Sequence, residues 1–296
     1  MKIFDCFMYF DEDLILDVRL NTLNESIDYF VIVESKFTHK GEKRNLKFDY
    51  NNFSKFKDKI IYLVYDNEPT EIKNINNSDT EIEKSTKYIF NAIYRENGQR
   101  NFITKGLKHA DDNDLILISD VDEIPNLKEV NLNNFKEKLF FFNQEMFYYK
   151  FNLKLPNYNW VGTRSCKKRY LKSPQWLRNI KVRNYPFYRL DTIFSKTRYS
   201  NIKFIDNGGW HFTNIKSPEK IRFKLKSYLH HREFEINPLS IEEIEDLIRN
   251  KKAIYDLTID KRNQKIGDGN QLENYDMKKL PTYIQNNLDK FRDWID

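Results

Sequence analysis

Hydrophobic positions in the first part of the chain alternate between short apolar runs and longer segments with apolar residues at helical spacing. A weakly alternating run opens the chain, and continuous apolar runs follow at Tyr29–Val33, Ile60–Tyr65 and Leu115–Ile118, the last within the predicted strand Asp114–Ser119. Continuous runs of this length are typical of strands buried on both faces of a parallel sheet. Helical spacing begins at Asp11-Glu12-Asp13 and returns over residues 81–110. The pattern predicts an α/β fold whose sheet is flanked by helices.

The rest of the chain has two parts with different patterns. Residues 135–215 are rich in aromatic, strand-like segments, whereas helical spacing dominates from Ser217 onward. The last apolar series at helical spacing follows Pro281 and contains Ile284, Leu288, Phe291 and Ile295. We therefore expect a Rossmann-like mixed sheet with a helical C-terminal portion.

Composition excludes several classes of protein. The chain has 296 residues, of which 40% are hydrophobic and 32% charged, so it is neither disordered, collagen-like nor a coiled coil. No apolar run approaches the roughly 18 residues that cross a bilayer, and an acid at position 5 argues against a signal peptide. Cys6 and Cys166 are expected to be reduced thiols. We expect a cytoplasmic protein.

The net charge of +6 is mild, and its densest basic stretch runs from Arg164 to Arg183. Such a stretch fits a phosphate-bearing ligand, the inner face of an anionic membrane or a nucleic acid, and it is also typical of a solvated surface. No nucleic-acid motif accompanies it. A peripheral membrane contact stays open.

Three carboxylates in four residues follow the clearest buried strand, in Ser119-Asp120-Val121-Asp122-Glu123. Neighbouring carboxylates repel one another unless they are solvated or a cation neutralises them. Ligands bind beyond the carboxyl ends of strands in such sheets, and carboxylate oxygens suit Mg²⁺ or Mn²⁺. The alternative is an acidic surface turn.

Two further segments are candidates for chemistry. In Gly208-Gly209-Trp210-His211 the glycines permit a close backbone approach, and a stacking surface and an imidazole follow directly. His211 suits a metal ligand, an acid or base, or a histidine of the core. Arg100 lies in a polar part of a predicted helix and suits a clamp on a phosphate or an acid, or a solvated helix face.

Several short motifs together resemble glycosyltransferase family 17. They occur in the expected order at Asp5-Cys6-Phe7, Arg19-Leu20-Asn21, Asp28–Ser35, Gln99-Arg100-Asn101, Ser119–Pro125, Gly209-Trp210-His211 and Pro218-Glu219-Lys220-Ile221. Each motif alone is unspecific, but the combination is specific. The resemblance covers residues 1–235, which we expect to form a catalytic domain, with residues 236–296 as a helical extension packed on it.

The resemblance implies a GT-A fold and an inverting N-acetylglucosaminyltransferase. It implies a UDP-sugar donor, typically UDP-GlcNAc, and a divalent cation, Mn²⁺ or Mg²⁺, held at the Asp-x-Asp. Vertebrate members carry a Golgi membrane anchor and a stem that this sequence is not expected to have. A surface or lipid-linked glycan is therefore the expected acceptor.

The resemblance also suggests roles for individual residues. Asp122 would hold the metal, Asp120 would contact ribose or a metal-bound water, and His211 would complete the metal shell or contact the diphosphate. Arg100 and Lys224 would add positive charge on the phosphates. These roles predict a donor site at the end of the fourth strand.

Other residues would contact the nucleoside or take the proton. Glu34, at the end of its strand, would contact uracil or ribose, and Trp210 would contribute to the donor site. Glu219, in the first turn of a helix whose dipole keeps a carboxylate ionised, is the expected base. Glu123 and Asp206 are the alternatives for that role.

Two other classes remain open at this point. A haloacid-dehalogenase-type phosphatase also uses an Asp-x-Asp after a strand, but there the pair normally follows the first strand, whereas Asp120 and Asp122 come much later. A nucleic-acid-binding protein would use the basic stretch with Trp160 and Trp176 for stacking.

Overall fold

The computed structural model describes residues 1–128, 130, 136–185, 195–228, 231–255 and 269–296. Within these residues the strands form one ten-stranded mixed sheet. The strands are β1 (Ile3–Tyr9), β2 (Tyr29–Ser35), β3 (Ile60–Tyr65), β4 (Leu115–Asp120), β5 (Glu123–Pro125), β6 (Leu139–Tyr148), β7 (Leu153–Lys167), β8 (Ile202–Ile205), β9 (Gly209–Thr213) and β10 (Glu273–Asn274). The helices are α1 (Asp13–Leu23), α2 (Glu81–Phe102), α3 (Pro174–Asn179), α4 (Pro218–Ser227), α5 (His231–Ile236), α6 (Ile241–Arg249) and α7 (Thr282–Gln285). Short 3-10 helices occupy Tyr50–Lys59, Ile103–Leu107, Lys168–Tyr170, Met277–Lys279 and Arg292–Trp294.

The first half of the sheet is parallel, in the order β3-β2-β1-β4. Side chains of β1 alternate between two apolar clusters on opposite faces. Phe7 packs in one cluster with Leu16 of α1, and Cys6 packs in the other with Ile103, which follows α2. Burial on both faces explains why β2 and β4 are continuous apolar runs. The predicted α/β architecture with a Rossmann-like mixed sheet is confirmed.

The second half of the sheet is mixed and brings two distant segments together. β7 pairs antiparallel with β4 and β6, and β9 lies parallel to β6. β5 follows β4 after the two residues Val121 and Asp122, and it pairs antiparallel with β9, where Glu123 lies opposite His211. The acidic turn after β4 and the histidine of β9 therefore lie in one region.

Glycine is required where β9 meets β5. Gly209 has a φ of +127°, and a Cβ at this position would lie 2.1 Å from the carbonyl oxygen of Ile124. A side chain at residue 209 would push the two strands apart, since neither the backbone conformation nor the space accommodates it. The expected close backbone approach at the glycine pair is confirmed.

The C-terminal portion packs against the second half of the sheet. Ile221 of α4 and Ile244 of α6 form a third apolar cluster with Leu153 of β7, and β10 pairs antiparallel with β7. The division of the chain at residue 235 stays a prediction. The expected last helix is shorter than its apolar spacing indicated, because α7 ends at Gln285 and is followed by two asparagines, which are weak helix formers. Consequently Leu288 is 46% exposed.

Two sequence expectations about membranes and thiols can be compared with this fold. Among the helices of the described ranges, none combines the length and the apolar character that crossing a bilayer requires. Cys6 and Cys166 are both buried free thiols, as expected. Burial raises the pKa of the Cys166 thiol to about 12, which keeps it protonated and unreactive at neutral pH.

Candidate active site

A cavity of about 270 Å³ lies where β1, β2, β4 and β9 end. Residues from or just after these four strands form much of its wall, and α2 and α4 contribute the rest. They include Tyr9, Phe10, Glu12, Phe37, His39, Glu96, Gln99, Asp120, Asp122, His211, Asn214 and Lys224. This is the position at which open α/β sheets bind ligands.

Arg19 of α1 holds the backbone of the acidic turn at residues 120–123. Its guanidinium donates to the backbone carbonyls of Asp120 and Val121 at 3.1 Å and of Glu123 at 2.7 Å. The same group is paired with Asp5 of β1 at 2.6 Å, and both side chains have no exposed surface. The carbonyls of a tight turn are thus satisfied by a buried side chain rather than by water. The turn is held in one conformation.

Two arginines neutralise Asp120. Arg100 of α2 donates to its Oδ1 at 3.0 Å, and Arg178 of α3 donates to its Oδ2 at 3.1 Å. Burial opposes ionisation of Asp120, but the two guanidinium groups outweigh it and lower the pKa of the carboxyl. Asp120 still exposes 38% of its side chain at the cavity. It is an ionised carboxylate with both oxygens already paired to cations.

Glu123 is fully buried beneath this pair. Its Oε1 accepts from the indole of Trp160 at 2.6 Å and from Arg178 at 2.9 Å. Its Oε2 accepts from Arg178 at 2.7 Å and from the backbone N–H of Asp120 at 2.8 Å. A carboxylate that accepts four hydrogen bonds and has no exposed surface cannot reach a substrate hydroxyl. Glu123 therefore positions the turn, and its alternative role as base does not fit the geometry.

Asp122 faces two other groups across the cavity. Its Oδ1 lies 3.5 Å from Nε2 of His211, and its Oδ2 lies 3.5 Å from Nζ of Lys224. Burial disfavours the charged form, yet Lys224 and His211 together hold the pKa of Asp122 well below its usual range. Asp122 is therefore an anion at neutral pH. The predicted residues Asp122, His211 and Lys224 converge.

The pair of Asp122 and His211 fits a divalent cation. Two ligands of an octahedral cation lie about 3 Å apart, close to the 3.5 Å between these atoms. In the described part of the chain, no three His, Cys, Asp or Glu side chains surround one point. Two protein ligands suffice for hard cations that take their other ligands from water and phosphate. Asp120 fits less well because arginines occupy both its oxygens.

The imidazole of His211 has a fixed orientation. Its ring lies 5.1 Å from the ring of Trp160, whose N–H is held by Glu123. Its Nδ1 is buried and has no hydrogen-bond partner among the residues that the structure describes. Because Nε2 is the atom that faces Asp122, a proton on Nδ1 would leave Nε2 free to bind a cation.

A buried ion cluster joins the loop after β1 to the loop after β9. Lys216 donates to Asp11 and, at 3.0 Å, to Glu12, whose other oxygen accepts from the backbone N–H groups of Phe10 and Asp11. Burial opposes ionisation of Glu12, but Lys216 and Lys224 lower its pKa. In the sequence, Glu12 belongs to a predicted helix start, and nothing marks Lys216.

His39 and Glu96 line the side of the cavity nearest β2 and α2. His39 Nε2 lies 3.2 Å from the side-chain oxygen of Gln99, whose amide donates to the carbonyl of Val33. Burial lowers the pKa of His39, so the imidazole is neutral at pH 7. Glu96 accepts from Arg100 at 2.7 Å. In the sequence, the polar segment around Arg100 indicated the part of this cavity wall that α2 contributes.

Besides Arg100 and Glu123, four more predicted site residues lie outside the cavity lining. Glu34 is fully buried, and its carboxylate accepts from Arg44, Tyr62 and two backbone amides. Trp210 donates to the carbonyl of Lys279 and lines a separate cavity of about 700 Å³. Asp206 is exposed and accepts from Asn143. Glu219 is exposed in the first turn of α4.

The basic stretch between Arg164 and Arg183 is only partly a surface. Arg164 is buried and donates to the carbonyls of Leu177 and Ile180, at 3.1 and 2.8 Å, which cap the end of α3. Arg178 points into the acidic turn, and 11% of its side chain is exposed. These two cations serve internal groups of the protein. They are not part of an exposed basic patch.

Comparison with known proteins gives one family. The sequence model of glycosyltransferase family 17 matches residues 1–295. The β-1,4-mannosyl-glycoprotein 4-β-N-acetylglucosaminyltransferases of Homo sapiens and Rattus norvegicus are each 27% identical over 232 residues, and that of Mus musculus is 26% identical. The matched region is 72% of this chain and 40% of each relative. The chain thus spans less than half the length of the curated relatives it matches.

Among solved structures, the inositol-1-phosphate CTP transferase from T. maritima aligns with a TM-score of 0.32 at 11% identity. The alignment covers 81% of this chain and 97% of that chain. Likeness at this level has no bearing on fold or function. The family match is therefore the finding that concerns function, and it replaces the phosphatase and nucleic-acid alternatives.

Proposed function

The chain belongs to glycosyltransferase family 17, and we propose that it transfers a sugar from a UDP-sugar donor to a hydroxyl of a glycan or lipid-linked acceptor. The donor sugar proposed is N-acetylglucosamine, the sugar in the names of its relatives. The observation that carries the proposal is the convergence of Asp122, His211 and Lys224 on one cavity at the strand ends. The proposal includes the GT-A form of the fold and inversion at the anomeric carbon.

Asp122 and His211 would hold the divalent cation, Mn²⁺ or Mg²⁺. When bound, such a cation supplies positive charge that stabilises a departing diphosphate. Both residues are already oriented by their neighbours, Asp122 by Lys224 and His211 by Trp160. A site ordered in advance loses less free energy on binding its ligand.

Lys224 would bind the diphosphate directly. Its side chain is 22% exposed, and its Nζ lies 3.5 Å from the carboxylate of Asp122, a long contact that a phosphate oxygen can replace. Arg100 differs, because Glu96 and Asp120 already accept from it and its side chain is 4% exposed. We therefore assign Arg100 to holding Asp120, and Asp120 to a contact with the donor's ribose or a metal-bound water.

An inverting transfer is a single in-line displacement. The acceptor oxygen bonds to C1 of the donor sugar, the bond from C1 to the diphosphate oxygen breaks, and a base takes the hydroxyl proton. Glu219 remains our proposed base, since Glu123 is saturated with partners. The hydroxyl of Ser217 stabilises its charge and lowers the pKa of Glu219, which keeps it an ionised proton acceptor. Glu219 lies outside the cavity lining, on the helix that also carries Lys224.

A thermal-shift panel of nucleotide sugars, each with and without Mn²⁺, tests the proposal. We expect UDP-GlcNAc to raise the melting temperature only when Mn²⁺ is present, because ligand binding to the folded state stabilises it. CDP- and GDP-sugars are the controls. A shift of equal size with every nucleotide sugar, or no shift with any of them, would contradict the proposed function.

A further inference from the structure

Two phenylalanines mark the mouth of the cavity. Phe10, in the loop after β1, lines the cavity, and its ring lies 6.0 Å from that of Phe223 on α4 with 24° between the ring planes. Phe223 is 50% exposed. The next residue along the helix is Lys224, which faces Asp122. The aromatic pair is therefore continuous with the site of the proposed chemistry.

The ring of Phe10 is held in place by charged neighbours. The guanidinium of Arg44 lies 4.3 Å from the ring centroid and also donates to the carbonyl of Phe10. The carboxylate of Glu12 accepts from the backbone N–H of Phe10. Phe10, fixed at its backbone and at one face, is therefore a rigid support for the stacked ring of Phe223. A supported ring loses little entropy when a ligand packs on it.

Phe223 is not part of any of the three apolar core clusters that the described residues form. The buried face of α4 consists of Ile221 and Leu225, which are 0% and 2% exposed. Phe223 lies on a different face, together with Glu219 one turn earlier, because residues four apart on a helix are neighbours. The proposed base and the exposed ring thus share one face of α4.

We propose that the exposed ring of Phe223, supported by Phe10, binds a pyranose ring of the acceptor; this inference rests on the proposed function. One face of a pyranose is lined by C–H groups while its hydroxyls point outward, so it packs on an aromatic face and stays hydrated at its edge. A ring packed on Phe223 lies next to Lys224, which faces Asp122, and on the face of α4 that carries Glu219. The ligand class is a neutral saccharide.

The test uses saturation-transfer NMR on the full chain. The probes are the methyl β-glycosides of mannose, N-acetylglucosamine and galactose, titrated in the presence of UDP and Mn²⁺. We expect at least one glycoside to bind, Phe223→Ala to weaken it about tenfold, and Phe223→Trp to retain it. Phe90→Ala is the matched control, since Phe90 is 45% exposed on α2 and contacts the ring of Tyr94.

Three results would overturn the inference. The first is that no glycoside binds the wild-type chain although calorimetry shows UDP binding, which would leave the proposed function intact. The second is equal weakening by Phe223→Ala and Phe90→Ala. The third is that Phe223→Ala abolishes self-association in sedimentation, or binding to phosphatidylglycerol vesicles, and leaves glycoside affinity unchanged, which would assign the ring to a second copy or to a membrane. Loss of UDP binding itself would count against the proposed function.

Discussion

The guanidinium of Arg19 and the carboxylate of Asp5 form a fully buried ion pair, with hydrogen bonds of 2.7 and 2.6 Å. The same guanidinium holds the backbone carbonyls of the turn that presents Asp122. Stability of the sheet and geometry of the candidate site therefore depend on one side chain. A change at Arg19 should affect both.

Replacing Arg19 by Met should destabilise the protein by about 3–5 kcal/mol, because Asp5 would be left as an unpaired buried charge. The free energy of unfolding in urea measures this. Removing both charges in Asp5→Asn/Arg19→Met should cost less than the sum of the single changes. A loss below about 1 kcal/mol for Arg19→Met, typical of a surface substitution, would show that the pair is not the constraint described.

Asp122 and Asp120 should respond differently to the loss of charge. Asp122→Asn should abolish the dependence of UDP affinity on Mn²⁺, since it removes the charged ligand of the proposed pair. Asp120→Asn should weaken UDP binding and retain its dependence on Mn²⁺, because arginines already occupy both oxygens of Asp120. Calorimetric titration of UDP with and without Mn²⁺ measures both. If Asp120→Asn alone removed the dependence, the metal would belong at Asp120.

Glu219→Gln should lower kcat by about 10²–10⁴-fold, the usual contribution of a general base. The affinity for UDP should not change, because Glu219 lies outside the cavity lining. Glu242→Gln is the matched control, as Glu242 is an exposed glutamate in the first turn of α6 with a serine neighbour that lowers its pKa. Steady-state kinetics compare the two variants. Turnover within twofold of wild type for Glu219→Gln would exclude it as the base.

Lowering the pH should reduce the free energy of unfolding, in part through protonation of Glu12. Its pKa is lower in the folded state than the unfolded value of about 4.3. A carboxyl of this kind contributes stability above its unfolded pKa and loses it as pH falls through the folded value. Urea unfolding at pH 6, 4 and 3 should therefore show a steeper loss for wild type than for Glu12→Gln. If the free energy of unfolding of wild type and of Glu12→Gln fell equally with pH, the ion cluster with Lys216 would not stabilise the fold.

Much of the fold followed from local patterns. The strands β2 and β4 are buried on both faces, so that each one is a continuous apolar run in the sequence. The turn at Asp120–Asp122 was found because three carboxylates at a strand end require compensating charge. Those features depend on neighbours in sequence. They are the kind that a single sequence reveals.

The compensating charges themselves were not predictable from spacing. Arg178 belongs to a basic stretch typical of a surface, and only the antiparallel pairing of β7 with β4 brings α3 beneath the acidic turn. Glu34 ends a strand as expected of a ligand contact, but the loop after β2 folds back and occupies its carboxylate. Long-range packing decided both cases.

The most direct test of the central claim incubates the full chain with UDP-GlcNAc and with the glycoside panel as acceptors. Mass spectrometry then measures the UDP and the glycosylated product that form. We expect UDP and a glycosylated product in Mn²⁺, neither in EDTA, and neither with Asp122→Asn, since the claim places donor activation at Asp122 and His211. UDP formation that persists in EDTA or in Asp122→Asn, or none from the wild-type chain in Mn²⁺, would contradict it.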